Sequence, residues 1–139
     1  MDALTVEGQL KSITMITDYV ARAAETAGLS EKTAYYLSLA VDEIATNIVL
    51  HGYAEAGITG DLTITAVMQP KNLKIILEDS GLFYDPRQVT APDLERPLHE
   101  REPGGLGIYL ALRSVDKFHY CQHQGRNRST FIIQKQNQT

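Results

Sequence analysis

The sequence predicts an α+β fold in which helices cover one face of an antiparallel-rich mixed sheet, held within a single domain over residues 1–139. Three observations predict it. Apolar residues recur at helical spacing up to Gly52. The period then changes to two between Leu62 and Leu77, and returns to two after Lys117. Between those β regions lies a proline-bearing segment without a sustained period, closed by Gly104-Gly105-Leu106-Gly107 and a short helical pattern.

Taken in order, Leu4-Thr5-Val6 alternates weakly and reads as a short edge strand before Gly8. A helix is expected from Gln9 to Ala27, with Leu10, Ile13, Met15, Ile16, Tyr19, Val20 and Ala23 on its apolar face. Gly28 is placed to end it in a left-handed cap. Ser30 reads as the N-cap of a second helix, with Glu31 in the first turn where a negative charge suits the dipole, and this helix runs out at Gly52. Leu62, Ile64, Ala66 and Met68 then alternate with small polar or apolar residues, and Pro70-Lys71-Asn72 turns the chain into Leu73, Ile75 and Leu77. The pair is expected to be antiparallel and to end in Glu78-Asp79-Ser80-Gly81. By its length and prolines, Arg87 to Pro103 reads as a lid, a binding loop or a disordered segment. The last helix runs to about Val115, and Lys117–Gln124 with Ser129–Lys135 read as a hairpin around Gly125-Arg126-Asn127.

Composition narrows the function classes. A hydrophobic fraction of 43% with 22% charged residues is ordinary for a globular domain. The net charge of -4 argues against a nucleic-acid binder, which carries a basic face. No apolar run approaches the ~18 residues needed to span a bilayer, so no membrane partner is expected. The single cysteine, Cys121, cannot form an internal disulfide, which favours a reducing, cytoplasmic setting.

The most informative stretch is the second half of the second helix. Leu37, Val41, Ile44 and Ile48 form its apolar stripe, and Glu43, Asn47 and His51 follow one another four residues apart beside it. A carboxylate and a carboxamide on the shoulder of a buried helix are costly without a polar partner. A hydrated metal carrying a phosphate chain would be one, so the row reads as the floor of a nucleotide site. His51 is better explained as a helix-end residue favoured by the dipole than as a catalyst.

Other candidates are weak alone. The Gly104-Gly105-x-Gly107 turn lets backbone N–H groups close on an anion at a helix N-terminus, but it lacks the Lys-Ser/Thr of a P-loop and serves equally as a plain junction. Asp79-x-Gly81 at a strand end is the pattern of a turn former followed by a glycine of unusual φ. Its functional reading has Asp79 accept from a purine amino group while Gly81 leaves bare backbone for the base. Cys121 is expected to pack within its strand, and His119 with His123 lacks a third metal ligand.

The order of these motifs is more specific than any one of them. Glu43-x-x-x-Asn47 on a helix, Asp79-x-Gly81 after a strand, a long loop, and Gly104-Gly105-x-Gly107 before a helix resemble the N box and two glycine boxes of the GHKL ATPase superfamily, which includes gyrase, the ninety-kilodalton heat-shock chaperone, histidine kinases and MutL proteins. Asn47-Ile48-Val49-Leu50-His51-Gly52-Tyr53, Asp85-Pro86 and Gly105-Leu106-Gly107-Ile108-Tyr109-Leu110 with Asp116 are further similar to the anti-sigma factor serine-protein kinases of bacterial partner switching. Leu82-Phe83 is bulkier than that family's pattern, Tyr84 stands where phenylalanine is usual, and Asp42 adds a carboxylate beside Glu43.

The resemblance implies the Bergerat α/β sandwich, a histidine-kinase-like ATPase domain that uses ATP and Mg²⁺. It implies Glu43 as the catalytic carboxylate that orients and deprotonates a serine hydroxyl, and Asn47 as the Mg²⁺ ligand and nucleotide contact. Asp79 and Gly81 would hold adenine, Gly104, Gly105, Leu106 and Gly107 would cradle the phosphates, and Thr130 would approach the base. Lid residues Arg87, Arg96 and Arg101 are candidates to meet phosphate or an acidic partner. The implied partners are an anti-sigma factor antagonist of the STAS-domain type, a sigma factor, and a second copy in a homodimer. The alternative is an ATP-binding regulatory module that sequesters a sigma factor or another regulator without significant kinase activity.

Overall fold

The computed structural model describes residues 1–83 and 105–135. Tyr84, the Asp85-Pro86 pair, the expected lid with Arg87, Arg96 and Arg101, and Gly104 all lie outside the described residues.

Strand β1 (Leu4–Glu7) leads through a 3₁₀ turn at Leu10–Ser12 into α1 (Ile13–Ala27). Ile16, Tyr19, Val20 and Ala23 recur at helical spacing and are buried, which supplies the force that holds the helix to the sheet. Gly28 takes φ +75°, and the Leu29 N–H reaches the Ala24 carbonyl at 3.0 Å while the Gly28 N–H reaches Glu25 at 3.0 Å, as expected of a left-handed cap. The Ser30 hydroxyl accepts the Thr33 N–H at 3.1 Å and starts α2 (Glu31–Asn47).

The second helix departs from expectation at its end. Its α geometry stops at Asn47, and Ile48–Ala54 continue as a π-turn rather than as α-helix to Gly52. The wider turn brings Val49, Gly52 and Tyr53 inward together. The Tyr53 hydroxyl donates to the Asp61 carbonyl at 2.6 Å and accepts the Ser80 N–H at 2.8 Å, joining the π-turn to two strand ends. His51 leaves the Glu43–Asn47 row and meets Glu55 through Nδ1 at 2.7 Å.

Strands β2 (Asp61–Met68) and β3 (Asn72–Asp79), helix α3 (Gly105–Arg113), and strands β4 (Lys117–His123) and β5 (Arg126–Gln134) complete the fold. The sheet order is β1-β2-β3-β5-β4. Every pairing among the described strands is antiparallel, so the sheet is antiparallel rather than mixed. Leu62, Ile64, Leu73, Ile75, Leu77, Phe131 and Ile133 project to one face and join the helices in one core. Beyond the first residue of β1, Leu4, which pairs with Ile64, the Ala66 N–H has no β1 partner, and the buried Tyr19 hydroxyl accepts it at 2.9 Å.

Two expectations in the closing hairpin are corrected. Its turn is the pair Gln124-Gly125, with φ +52° and +80°, so Arg126 and Asn127 belong to β5 and not to the turn. Polar residues at the inward positions 127 and 129 concealed the start of that strand. Cys121 is exposed on the edge strand beside His119 and His123 instead of packing, because residue 121 falls on the face opposite the helices. Among the described residues no cluster suited to a metal ion forms, and no helix is long and apolar enough to cross a membrane.

Candidate nucleotide site

Two elements bring the candidate residues together. Helix α2 presents Glu43 and Asn47 on one side, both half-buried and one turn apart. Asp42 points elsewhere and accepts the Thr46 hydroxyl at 3.0 Å, which separates the neighbouring carboxylates. Burial pushes the Glu43 carboxyl up from its ordinary 4.5, with the Asp42 charge adding to it.

Strand β3 delivers Asp79 at its last residue, 2% exposed. Its Oδ1 accepts the Gly81 N–H at 2.9 Å, closing the short turn expected of such an aspartate. The same oxygen accepts Asn127 Nδ2 at 2.9 Å from the neighbouring strand. Burial pushes this carboxyl up from 3.8, opposed by the Asn127 and Gly81 hydrogen bonds and by the Arg126 charge.

Gly81 is needed for contact, not for an unusual φ. A Cβ there would lie 2.8 Å from the Gly52 carbonyl oxygen and 3.2 Å from Asp79 Oδ1. The Leu82 N–H donates to that Gly52 carbonyl at 2.9 Å, so the strand-end turn is docked on the π-turn that follows α2. The helix that carries Glu43 and Asn47 and the Asp79 turn are thereby fixed relative to each other.

The result is a narrow cleft lined by Asn47, Ile48, Gly52, Asp79, Tyr120 and Ser129. Glu43 stands one helical turn before Asn47 and is not part of the lining. Among the described residues the buried Ser129 hydroxyl has no hydrogen-bond partner. An orphaned buried hydroxyl beside a buried carboxylate calls for a polar ligand.

Thr130 is corrected by the register. It lies beside Ile76 and His119, and the buried face of β5 carries Asn127, Ser129, Phe131 and Ile133. Thr130 therefore faces away from the cleft, and Ser129 occupies the place expected of it. Gly105, Leu106 and Gly107 open α3, which packs on α2 and enters the core through Ile108 and Ala111. Sequence reasoning missed Asn127 and Ser129. Extending the alternation of Phe131 and Ile133 backwards by two and four residues would have found both.

Comparison with known proteins agrees with this geometry. The family model described as histidine kinase-like ATPase domain matches residues 6–133. The serine/threonine-protein kinase BtrW of Bordetella bronchiseptica is 30% identical over 101 residues, covering 73% of this chain and 70% of that protein. The serine-protein kinase RsbW of Bacillus cereus is 25% identical over 126 residues, covering 88% of this chain and 78% of its own. Among solved structures, the histidine kinase domain of a blue-light activated histidine kinase from Erythrobacter litoralis EL346 superposes with a TM-score of 0.52 at 14% identity. That likeness is one of fold, over 87% of this chain and 58% of the other. The chain belongs to the histidine kinase-like ATPase family and, within it, to the RsbW-like protein kinases. ATP use comes with that membership.

Proposed function

We propose that the chain is a single-domain protein-serine kinase that transfers the γ-phosphate of Mg-ATP to a serine of an anti-sigma factor antagonist. In the same reading it binds a sigma factor, acts as a homodimer in the bacterial cytoplasm, and recognises an antagonist that is itself a STAS-domain protein. The observation that carries the proposal is the cleft itself, where buried Asp79, the unpartnered Ser129 hydroxyl and the half-buried Asn47 face one space.

The residues fit an adenine nucleotide with its metal. Asp79 would accept the exocyclic amino group, and Ser129 would complete the polar contacts at that end. Asn47 would offer one carboxamide oxygen to Mg²⁺, a small octahedral ion that keeps several waters and needs few protein ligands. Bound there, the ion neutralises phosphate charge. The backbone of Gly104, Gly105, Leu106 and Gly107 would hold the phosphates at the start of α3. Glu43 would orient the incoming serine hydroxyl and take its proton, with its carboxyl already raised toward the range useful for a base.

The test is incubation with labelled ATP, Mg²⁺ and the antagonist encoded nearby. Label on a serine, lost with Glu43→Gln while nucleotide binding persists, supports the kinase. Nucleotide and sigma-factor binding without any transfer would favour a nucleotide-gated sequestering module instead.

A further inference from the structure

Asn127 performs a task at the base end of the cleft that no motif in the sequence assigns. Its side chain is 4% exposed, and Nδ2 spends its hydrogens on two acceptors, Asp79 Oδ1 at 2.9 Å and the Gly81 carbonyl at 3.0 Å. It stands directly across the ladder from Asp79, and its inward neighbour on β5 is Ser129. Asp79 Oδ1 thus receives two donors, Asn127 and the Gly81 N–H. Among the described residues Oδ2 receives none.

We infer that Asn127 is a positioning residue that fixes Asp79 with one oxygen saturated and the other presented to the cleft as an acceptor. The inference rests on the nucleotide reading and deepens it by accounting for the choice of base. An adenine offers an amino donor at carbon 6, which suits a lone carboxylate oxygen. A guanine offers a carbonyl there, an acceptor meeting an acceptor, and leaves the buried oxygen unpaired. Without Asn127, Asp79 is free to turn about its side-chain torsions and the Gly81 carbonyl loses its partner. The Asn127 hydrogen bond also leads the influences that oppose the upward push of burial on the Asp79 carboxyl.

A binding cycle tests this against a merely structural role. Calorimetry in Mg²⁺ would compare a non-hydrolysable ATP analogue with the matching purine nucleotide that lacks the 6-amino group. Asn127→Ala is expected to weaken the ATP analogue about tenfold, the loss typical of one buried hydrogen bond, and the deaminated analogue less than about twofold. In an Asp79→Ala background the Asn127 change is expected to add nothing, since the two act as a unit. Equal weakening of both nucleotides, or additive losses, overturns the inference while leaving nucleotide binding intact. Failure of the wild-type chain to bind either nucleotide overturns the proposed function and the inference with it. Should Asn127→Ala fail to fold in a melting scan, Asn127→Ser retains a short donor, and the same adenine-specific ratio decides.

Discussion

The two ends of the cleft are built differently. At the strand end, Asp79, Asn127, Gly81 and Gly52 are tied by four hydrogen bonds in a buried cluster that includes the Leu82 N–H. At the helix end, Glu43 and Asn47 are held only by their backbone, and neither side chain has a hydrogen-bond partner among the described residues. The first end is preorganised for a rigid ring, and reorganisation there would cost affinity. In the proposed reading the second is left free for groups that must arrive, a metal with its waters and a hydroxyl with its proton. On that reading, recognition belongs to the sheet and chemistry to the helix.

If that division holds, damage at the two ends has different signatures. The largest expected effect is on the helix. Glu43→Gln should lower phosphoryl transfer by about 10²–10⁴-fold, the range typical of removing a general base. The affinity for ATP should stay within about twofold, because Glu43 is not part of the cleft lining. A parallel loss of affinity, measured by calorimetry, would break the comparison. Its raised carboxyl also places the acid limb of the transfer rate above the ordinary glutamate value of 4.5, since the base must be deprotonated to act.

Gly81→Ala should follow, and it strikes the joint between the ends. The added methyl would meet a backbone carbonyl at 2.8 Å, which cannot swing aside as a side chain would. A loss of about 1–3 kcal/mol in stability is expected from overpacking of this kind. Chemical denaturation measures it, and an unchanged midpoint would show that the turn and the π-turn are not docked.

How much of this was legible beforehand follows from where the signal lies. Apolar periodicity located α1, α2, β2 and β3, because burial of Ile16, Leu37, Ile64 and Ile75 writes itself into spacing. Motif order singled out Glu43, Asn47, Asp79 and Gly81, of which Asn47 and Asp79 line one cleft. The missed features are those where tertiary contact overrides pattern. The π-turn after Asn47 is set by Tyr53 reaching Asp61 and Ser80, partners distant in sequence. Asn127 and Ser129 are polar at inward positions, so the alternation that should announce β5 breaks where the strand enters the cleft. Thr130 is pointed to by the family resemblance alone, which carries a residue type and not the register that sets the faces of β5. The exposure of Cys121 follows from the register of β4, which turns it to the face opposite the helices and which its local pattern does not mark.

Asp79→Asn sharpens the comparison from the strand end, with two effects of opposite sign. The amide oxygen still accepts from Gly81 and Asn127, but an N–H₂ replaces the free oxygen and faces the adenine amino group. Affinity for ATP should fall by about 10–100-fold, as for one buried polar mismatch worth ~1–3 kcal/mol.

Stability should move the other way. Burial raises the folded-state value above 3.8, so the folded chain holds this proton more tightly than the unfolded one. The stabilisation from that proton is fully present below pH 3.8 and is lost as pH rises through the folded-state value. Asparagine carries no proton to lose. The variant should therefore gain on the wild type across that window and keep a constant advantage above it, read as a higher denaturation midpoint at neutral pH.

The smallest effect belongs to the outer face. Thr130→Val should leave ATP affinity and transfer within about twofold, because a residue beside Ile76 and His119 does not meet the cleft. Ser129→Ala should weaken ATP by roughly three- to tenfold if its unpartnered hydroxyl meets the nucleotide, a net contact of ~0.5–1.5 kcal/mol. Removing a buried hydroxyl that lacks a partner should meanwhile stabilise the ligand-free chain, so the melting temperature rises as the affinity falls. Measured together, the adjacent pair separates the two faces of one strand. Equal responses at positions 129 and 130 would mean that β5 meets the nucleotide in a register other than the one its pairing with β3 dictates.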